Sequence, residues 1–198
     1  MPNALNPSPD SFLQRHRQAL HIAAWALLLA ALAALGACST TPPPGAKVVT
    51  PFDVQRYAGK WYEVARLDHS FERGLSDVSA TYKLEADGSV QVINRGYDAD
   101  RKKWNEAVGR ARFTGDSNVG SLKVSFFGPF YGGYHVVALD EVGYRWAMVI
   151  GPDTDYLWIL SRDKTLPPGV RERLLVQARE LGVRTDELIW VAQTRSDG

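Results

Sequence analysis

Cysteine is almost absent from this chain, because Cys38 is the only one among 198 residues. A disulfide needs two thiols, so the folded domain must be held together by packing and hydrogen bonds alone. Positive charge is not in excess either, since 23 lysines and arginines are balanced by 22 aspartates and glutamates. Without a basic block or stripe, the composition argues against a nucleic-acid partner.

The N-terminal region lacks an apolar run long enough to cross a membrane. Residues 22–35 are uncharged and rich in alanine and leucine, but the run has only 14 residues, whereas a spanning helix needs roughly 17–25. Arg15 and Arg17 precede it, as in a signal peptide. The run ends in Leu35-Gly36-Ala37-Cys38, which resembles a bacterial lipobox, where the cysteine thiol is diacylglycerated. The alternative is an ordinary signal peptide followed by an incidental cysteine.

We therefore predict a lipoprotein signal peptide over residues 1–37 and lipidation of Cys38. Ser39 follows in place of an aspartate, which favours an outer-membrane location with the folded domain in the periplasm. Residues 38–51 are predicted to be the lipidated N-terminus and a proline-rich linker, an extended spacer in which Pro42-Pro43-Pro44 excludes helix and sheet. Two or more acyl chains anchor stably, because each buried methylene contributes about 0.8 kcal/mol.

Motifs for catalysis are missing. The chain has no Gly-x-Ser-x-Gly nucleophile motif. His69 and His135 are the only histidines after the predicted cleavage site, and a metal site needs three or four converging ligands. Asp98 and Asp100 are interpreted as solvated turn carboxylates rather than calcium ligands. We predict no catalytic residue, no metal and no cofactor.

Short segments with alternating apolar and polar residues dominate the rest of the chain, which predicts β-strands. In residues 121–127, for example, Leu122, Val124 and Phe126 alternate with Lys123 and Ser125. Eight such strands are predicted, over residues 59–68, 77–84, 89–97, 103–114, 121–127, 134–139, 144–150 and 156–161.

The pattern changes near the C-terminus, where apolar residues at helical spacing predict a helix over residues 170–181. A ninth strand is predicted over residues 187–193. Consecutive short strands favour an up-and-down antiparallel sheet, and closing it removes exposed edges. The predicted fold is therefore all-β: an eight-stranded barrel, or calyx, over residues 52–193, with the helix packed outside. Residues 194–198 form a tail.

In a closed barrel of eight strands, the start of the first strand lies beside the end of the eighth. This places Trp61, which follows Gly59, next to Arg162. A guanidinium over an indole is worth about 2 kcal/mol when shielded from water, so the pair is predicted to plug this end, which we call the floor. Thr154-Asp155-Tyr156 is expected at the same end. The alternative is that the tryptophan and the arginine never meet.

These residues resemble signature regions of a known family. Gly59-Lys60-Trp61, Thr154-Asp155-Tyr156 and Arg162 are similar to the three signature regions of the lipocalins. Four longer stretches resemble the bacterial outer-membrane lipoprotein branch (Blc type), related to apolipoprotein D. They are Gly59–Leu75, Val92–Tyr97, Lys123–Tyr134 and Gly151–Arg162.

The resemblance implies an eight-stranded calyx with a helix packed outside; the missing catalytic motifs, and not the resemblance, predict that the protein is not an enzyme. The resemblance also implies binding of fatty acids and phospholipids, with a preference for lysophospholipids in the bacterial branch. The implied role is to store or transport lipids for envelope maintenance under stress.

The cavity lining is predicted from strand parity, with the bulkier apolar face turned inward. Counting from Trp61 places Ala65 inside and formally Glu63 as well, although a bulge could turn this glutamate outward. Tyr131 is predicted at the open end, which we call the mouth, in contact with a ligand head group or a partner protein. The other predicted lining residues are Tyr82, Leu84, Val124, Phe126, Tyr134, Val136, Trp146, Met148 and Trp158.

A single-chain lipid is the expected ligand. Burying about 16 methylenes yields roughly 12 kcal/mol, but a diacyl lipid already has that burial in its bilayer. We therefore expect a fatty acid or a lysophospholipid. Two alternatives stay open: a solid core without ligand, and an anchored interaction module whose loops bind another subunit. The sequence also leaves a possible homodimer open.

Overall fold

A computed structural model describes residues 39–196, so the predicted signal peptide and Cys38 lie outside the described residues. Within this range the helices are α1 (Val54–Tyr57) and α2 (Val170–Glu180), with a short 3-10 turn at Thr185–Glu187. The strands are β1 (Gly59–Arg66), β2 (Leu75–Leu84), β3 (Val90–Asp98), β4 (Lys103–Phe113), β5 (Ser121–Phe127), β6 (Phe130–Leu139), β7 (Trp146–Ile150), β8 (Leu157–Ser161) and β9 (Ile189–Trp190).

Strands β1 to β8 close into one antiparallel barrel, which confirms the predicted fold. Each strand pairs with the next in the chain, and β1 pairs with both β2 and β8. At the closure, Trp61 lies opposite Ala80 and Tyr62 lies opposite Ser161. The ninth strand pairs with β1 through Ala65 and Trp190.

The strand bounds differ from prediction mainly at β6, which begins at Phe130 rather than at residue 134. Lys123 pairs with Gly133 and Val124 pairs with Gly132, so the two glycines continue the ladder instead of forming a loop. The β5–β6 link is thereby reduced to Gly128 and Pro129. The ninth strand is also shorter than predicted.

Buried residues form two clusters, one on each side of the sheet. The inner cluster fills the barrel and contains Phe52, Tyr57, Trp61, Ala80, Tyr82, Val90, Val92, Ala111, Leu122, Val136, Leu139, Tyr144, Ala147, Val149 and Leu160. The outer cluster contains Val64, Ala65, Leu67, Val137, Ala138, Met148, Ile150, Leu157, Ile159, Val170, Leu174, Ala178, Val183 and Leu188. Helix α2 supplies its apolar stripe to the outer cluster and so packs outside the barrel, as predicted.

The predicted inward face is wrong on two strands, β7 and β1. On β7, Ala147 and Val149 belong to the inner cluster, whereas Met148 belongs to the outer cluster and Trp146 packs against it. Trp146 and Met148, the largest side chains of this strand, therefore face helix α2, and the small Ala147 faces the barrel interior. On β1, the register shifts between Glu63 and Ala65, and this bulge moves Ala65 into the outer cluster.

The segment before the barrel contacts it instead of acting only as a spacer. Val49 donates a backbone hydrogen bond to the Val136 carbonyl at 2.8 Å and accepts one from Gly120 at 3.0 Å. Ala46 packs against the outer cluster. Within residues 39–196, no helix has the length and apolar character needed to span a bilayer.

Candidate functional site

The floor of the barrel is closed by Arg162 and Trp61. The guanidinium carbon lies 3.9 Å from the centroid of the indole. Its nitrogens donate to the carbonyls of Lys60 and Arg56, each at 2.8 Å, and of Tyr144 at 3.2 Å. Further hydrogen bonds reach the carbonyls of Tyr57 and Ala58.

Gly59 lies directly under this arginine. Its φ of +93° is one that L side chains rarely adopt, and an added Cβ would lie 3.4 Å from Nη1 of Arg162. The backbone conformation is therefore what requires a glycine here. The indole nitrogen of Trp61 donates to the Tyr57 carbonyl at 2.8 Å, which orients the ring under the guanidinium.

The expected placement of Thr154-Asp155-Tyr156 at the floor is wrong. These residues belong to the β7–β8 link, and alternate links of an up-and-down barrel return to the mouth. The corresponding floor link is β6–β7, where Arg145 Nε donates to Asp140 Oδ2 at 2.8 Å. Tyr144 in the same link accepts hydrogen bonds from Arg162 and, through its hydroxyl, from the Asp53 amide.

Three tyrosine hydroxyls meet inside the barrel. The Tyr134 hydroxyl lies 2.7 Å from that of Tyr57 and 2.8 Å from that of Tyr82. Burial raises the pKa of all three hydroxyls, so they stay neutral at physiological pH. This cluster gives the barrel interior an uncharged polar group.

Beside the tyrosines lies a small enclosed cavity of about 20 Å³. It has room for about one water molecule, which needs at least 10–15 Å³, and is far below the roughly 300–1,000 Å³ of ligand pockets in general. Its lining residues are Phe52, Val54, Tyr57, Tyr82, Val90, Val92, Ala111, Leu122, Val124 and Tyr134.

Closer to the mouth, the inward side chains are less tightly enclosed. Val124, Phe126, Tyr134 and Trp158 pack against the inner cluster but remain partly exposed. Gly132 pairs directly with Val124 and therefore faces the same side of the sheet. An added Cβ at Gly132 would meet nothing within 4 Å. We call this accessible apolar space the well.

A charged cluster lies near β1 and the β1–β2 link. Arg66 is 1% exposed and Glu63 is 3% exposed, and Nη1 of the arginine lies 2.7 Å from Oε1 of the glutamate. Nη2 of Arg66 donates to the Glu72 carbonyl at 2.9 Å. The carboxylate of Glu72 accepts a hydrogen bond from Nε1 of Trp158 at 3.0 Å. Glu63 pairs directly with Leu160 of the inner cluster, so its side chain faces the barrel interior.

This cluster holds a proton at neutral pH. Burial raises the pKa of Glu63 to about 8, Glu72 adds to the rise, and Arg66 opposes it. Burial also raises the pKa of Glu72. Two buried carboxyls beside one arginine cannot both ionise cheaply, so one keeps its proton.

Aromatic rings gather at the mouth around His69. Its imidazole stacks on Tyr156 at 4.8 Å and on Phe71 at 5.3 Å between ring centroids. Burial and the charge of Arg66 lower the pKa of His69 to about 4, so the ring is neutral at physiological pH.

The structure places six of the eleven residues predicted to line the interior in or against the inner cluster. Leu84, at the floor end of β2, is 41% exposed, and Ala65 lies in the outer cluster. Trp146 and Met148 lie under α2 instead, as described above. Tyr131 lies in an open groove of about 320 Å³ that is also lined by Gln91, Val108 and Phe126, with Nζ of Lys123 5.2 Å from its ring. The six interior residues are Tyr82, Val124, Phe126, Tyr134, Val136 and Trp158.

Sequence reasoning missed Tyr57, Arg66 and Glu72. Tyr57 and Glu72 lie outside the strands, where no period indicates which way a side chain points. Arg66 follows the bulge of β1, which breaks the alternation. Among the described residues, no group of three or more histidine, cysteine, aspartate or glutamate side chains could hold a metal.

Residues 52–193 match the family profile described as a lipocalin-like domain. The chain belongs to the lipocalin family. Outer membrane lipoprotein Blc of Escherichia coli K12 is 55% identical over 161 residues, which cover 81% of this lipocalin and 90% of that protein. The Citrobacter freundii protein of the same name is 53% identical over 168 residues, covering 85% and 94%.

More distant relatives share the same domain. Bovine apolipoprotein D is 37% identical over 142 residues, which cover 68% of this lipocalin and 70% of the relative. Among solved structures, insecticyanin from the tobacco hornworm Manduca sexta superposes with a TM-score of 0.61 at 22% identity, covering 79% of this chain and 89% of that one. That likeness concerns the fold alone.

Proposed function

We propose that this lipocalin is a lipid-anchored outer-membrane protein that binds a single-chain lipid inside its barrel. The observation that carries the proposal is the well, where apolar and aromatic side chains face inward yet remain accessible from the mouth. Its relatives are named outer membrane lipoproteins. That name and the lipobox-like sequence ending at Cys38 support anchoring to the outer membrane, with the barrel in the periplasm.

The accessible apolar side chains of the well support the proposed ligand class. A fatty acid or lysophospholipid inserts one acyl chain, and burying about 16 methylenes is worth roughly 12 kcal/mol against several lost on association. The small cavity behind the tyrosines gives little depth, so the chain lies mainly in the well. The role we infer is storage or transport of such lipids for envelope maintenance under stress. The protein is a binding protein and not an enzyme.

A second candidate function is favoured by the size of the enclosed cavity. At about 20 Å³, the lower barrel is packed much like an ordinary protein core. In this alternative, the protein is an anchored interaction module with no lipid ligand, and its mouth loops bind another subunit.

Lysophospholipid titration of the delipidated mature domain distinguishes the two. Trp158 lines the well and Trp61 lies at the floor, so a lipid entering the barrel changes tryptophan fluorescence. We expect a saturable change with one lipid per barrel and the same lipid in native mass spectra. A linear, unsaturable response with no lipid retained would support the interaction module. Sedimentation with and without ligand tests the homodimer, which stays a prediction.

A further inference from the structure

The wall of the barrel is interrupted between β4 and β5. The ladder that joins these strands involves only Arg110 to Phe113 on β4. Among the described strands, residues 103–109 of β4 pair with β3 alone. Strand β5 continues past the ladder only as far as Phe127. Toward the mouth, the two strands are therefore not hydrogen-bonded to each other, and we call this gap the notch.

The open groove beside Tyr131 lies at the notch. It is lined by Arg110 and Ser125, which form the last pair of the ladder and face outward, because the next pair along the ladder faces the inner cluster. It is also lined by Phe126, which packs against the inner cluster. A Cβ added at Gly109 would lie 2.8 Å from Cδ1 of this ring. Side chains from both faces of the sheet thus line one groove, which the notch makes possible.

Phe126 separates the groove from the well and lines both of them. The two spaces therefore meet around a single aromatic ring. A molecule with an apolar chain on one side of this ring and a polar group on the other side would occupy both spaces at once. A single-chain lipid has this form.

The interior of the barrel offers no accessible cation to an anionic head group. Arg66 is 1% exposed, and its terminal nitrogens donate to Glu63 and to the Glu72 carbonyl; its Nε has no partner but is buried. Arg162 at the floor donates to five backbone carbonyls. The carboxyl of Glu72 reaches Trp158 in the well. Because a buried charge without a partner is costly, an anionic head group stays outside.

The outer face of the sheet around the notch carries excess positive charge. Its outward-facing cations exceed by two the exposed acids on the same face and in the β2–β3 link. The cations are Lys83, Arg95, Arg110, Arg112 and Lys123, and the acids are Glu85, Asp87 and Glu106. Arg110 and Arg112 share Asp87, at 3.4 and 3.0 Å, and Arg112 lies directly opposite Lys123. Like charges directly opposite each other are destabilising, so a bound anion would relieve this repulsion.

We propose that the groove binds the phosphate of a single-chain phospholipid, whose acyl chain passes around Phe126 into the well. This inference rests on the proposed function, because it needs the acyl chain inside the barrel. The guanidinium of Arg110 donates to the phosphate, and the Ser125 hydroxyl and the Gln91 amide supply further donors in the groove. The glycerol between chain and phosphate gives the length needed to pass the ring, which a fatty acid lacks.

Arg110 can be replaced without disturbing the barrel. Its side chain is 59% exposed, and Asp87 keeps its closer partner Arg112 when Arg110 is removed. A loss of affinity in Arg110→Gln therefore reports on the ligand and not on folding. Arg110→Lys keeps the positive charge and is expected to retain most of the affinity.

The test compares palmitoyl lysophosphatidic acid with palmitoylglycerol, which share chain and glycerol and differ in the phosphate. The fluorescence titration of the mature domain measures both, below their critical micelle concentrations. We expect the native sequence to bind the phosphate lipid at least about tenfold more tightly. Arg110→Gln should remove most of this preference and leave the affinity for palmitoylglycerol unchanged. Added salt should weaken binding of the phosphate lipid alone.

Arg101→Gln is the matched control. This arginine is also exposed and pairs with an aspartate, Asp98, at 3.7 Å, but it lies in the β3–β4 link. Seven residues of β4 separate Arg110 from Lys103 at the start of that strand, a distance of about 23 Å. We expect Arg101→Gln to change the affinity for either lipid by less than about twofold, since the distance exceeds the Debye length at physiological salt.

The possible results separate this site from the proposed function. Equal affinity of the native sequence for the two lipids would overturn the phosphate site and leave lipid binding in the well intact. Equal losses of preference in Arg110→Gln and Arg101→Gln would indicate a general effect of charge and overturn it as well. So would an equal weakening of both lipids by Arg110→Gln. If the native sequence binds neither lipid, the proposed function fails, and this inference fails with it.

Discussion

The guanidinium of Arg162 joins three separate parts of the chain at the floor of the barrel. It accounts for five hydrogen bonds to backbone carbonyls and covers the Trp61 ring. A planar fork with fixed donor directions can satisfy these carbonyls together, whereas an ammonium group cannot. The side chain therefore acts through geometry as much as through charge.

Arg162→Lys is expected to lower the free energy of unfolding by about 2–4 kcal/mol, because several charge-assisted hydrogen bonds and the cation–π contact are lost. Urea denaturation of the mature domain measures the loss. Arg112→Lys is the matched control, since that arginine is exposed and pairs with Asp87 at 3.0 Å; it should change stability by less than about 0.5 kcal/mol. Equal effects of the two substitutions would contradict this account.

The buried Glu63 makes stability depend on pH in a definite direction. Its pKa rises from an ordinary value of 4.5 to about 8 on folding. Between these values the folded state holds a proton that the unfolded state has released, so stability falls as pH rises. As pH rises through this range, we expect the unfolding free energy of the native sequence to decrease relative to that of Glu63→Gln. The slope is up to about 1.4 kcal/mol per pH unit.

Denaturant titrations at several pH values between 5 and 8 measure this difference. Glu106→Gln, at an exposed position on β4, serves as the control and should run parallel to the native sequence. A native sequence that gains stability relative to Glu63→Gln as pH rises would show that Glu63 is ionised and that its pairing with Arg66 dominates.

At the scale of single elements, β6 provides the wall of the well. Gly132 faces inward with open space where a side chain would be. Its backbone needs no positive φ, so a larger residue can be accommodated without strain. The missing side chain therefore creates volume rather than satisfying the backbone.

Gly132→Leu is expected to weaken lysophospholipid binding about tenfold, or about 1.4 kcal/mol, because the leucine fills space that the acyl chain would use. Stability should stay level or rise slightly, since glycine weakens a strand. Gly115→Leu, in the β4–β5 link where an added Cβ also meets nothing, is the control and should leave affinity unchanged. The same fluorescence titration measures both variants, and unchanged affinity for Gly132→Leu would place the lipid elsewhere.

Individual strands also show which parts of the fold can be predicted from the sequence. Alternation predicts correctly that Tyr82, Val124 and Trp158 face inward, and each of them lies where the pairing register is continuous. It fails for Ala65 because the bulge of β1 adds a residue, and no local pattern indicates a bulge. On β7 the residues alternate, but the face predicted to point inward is the wrong one. Helix α2 covers the outer side of this strand, and the large apolar side chains of Trp146 and Met148 are buried there. Composition alone cannot tell which of two buried faces is inside.

At the scale of the whole molecule, the N-terminal segment is part of the folded domain. Its prolines predict an extended spacer, but Lys47-Val48-Val49-Thr50 follows them, and β-branched residues pair readily with exposed backbone. Thr50 and Phe52 both bond to the Asn118 carbonyl. The proline content alone does not indicate this docking.

Removal of this segment tests its contribution to the whole barrel. Deleting residues 39–51 is expected to lower the unfolding free energy by about 2–4 kcal/mol, since about 1 kcal/mol is lost with each backbone hydrogen bond and Val49 no longer packs on the inner cluster. Deleting only residues 39–42 removes none of the Val49 contacts and should cost less than about 1 kcal/mol. Thermal and urea denaturation of the two truncated domains give the comparison. If both deletions leave stability unchanged, the contacts of this segment do not stabilise the barrel.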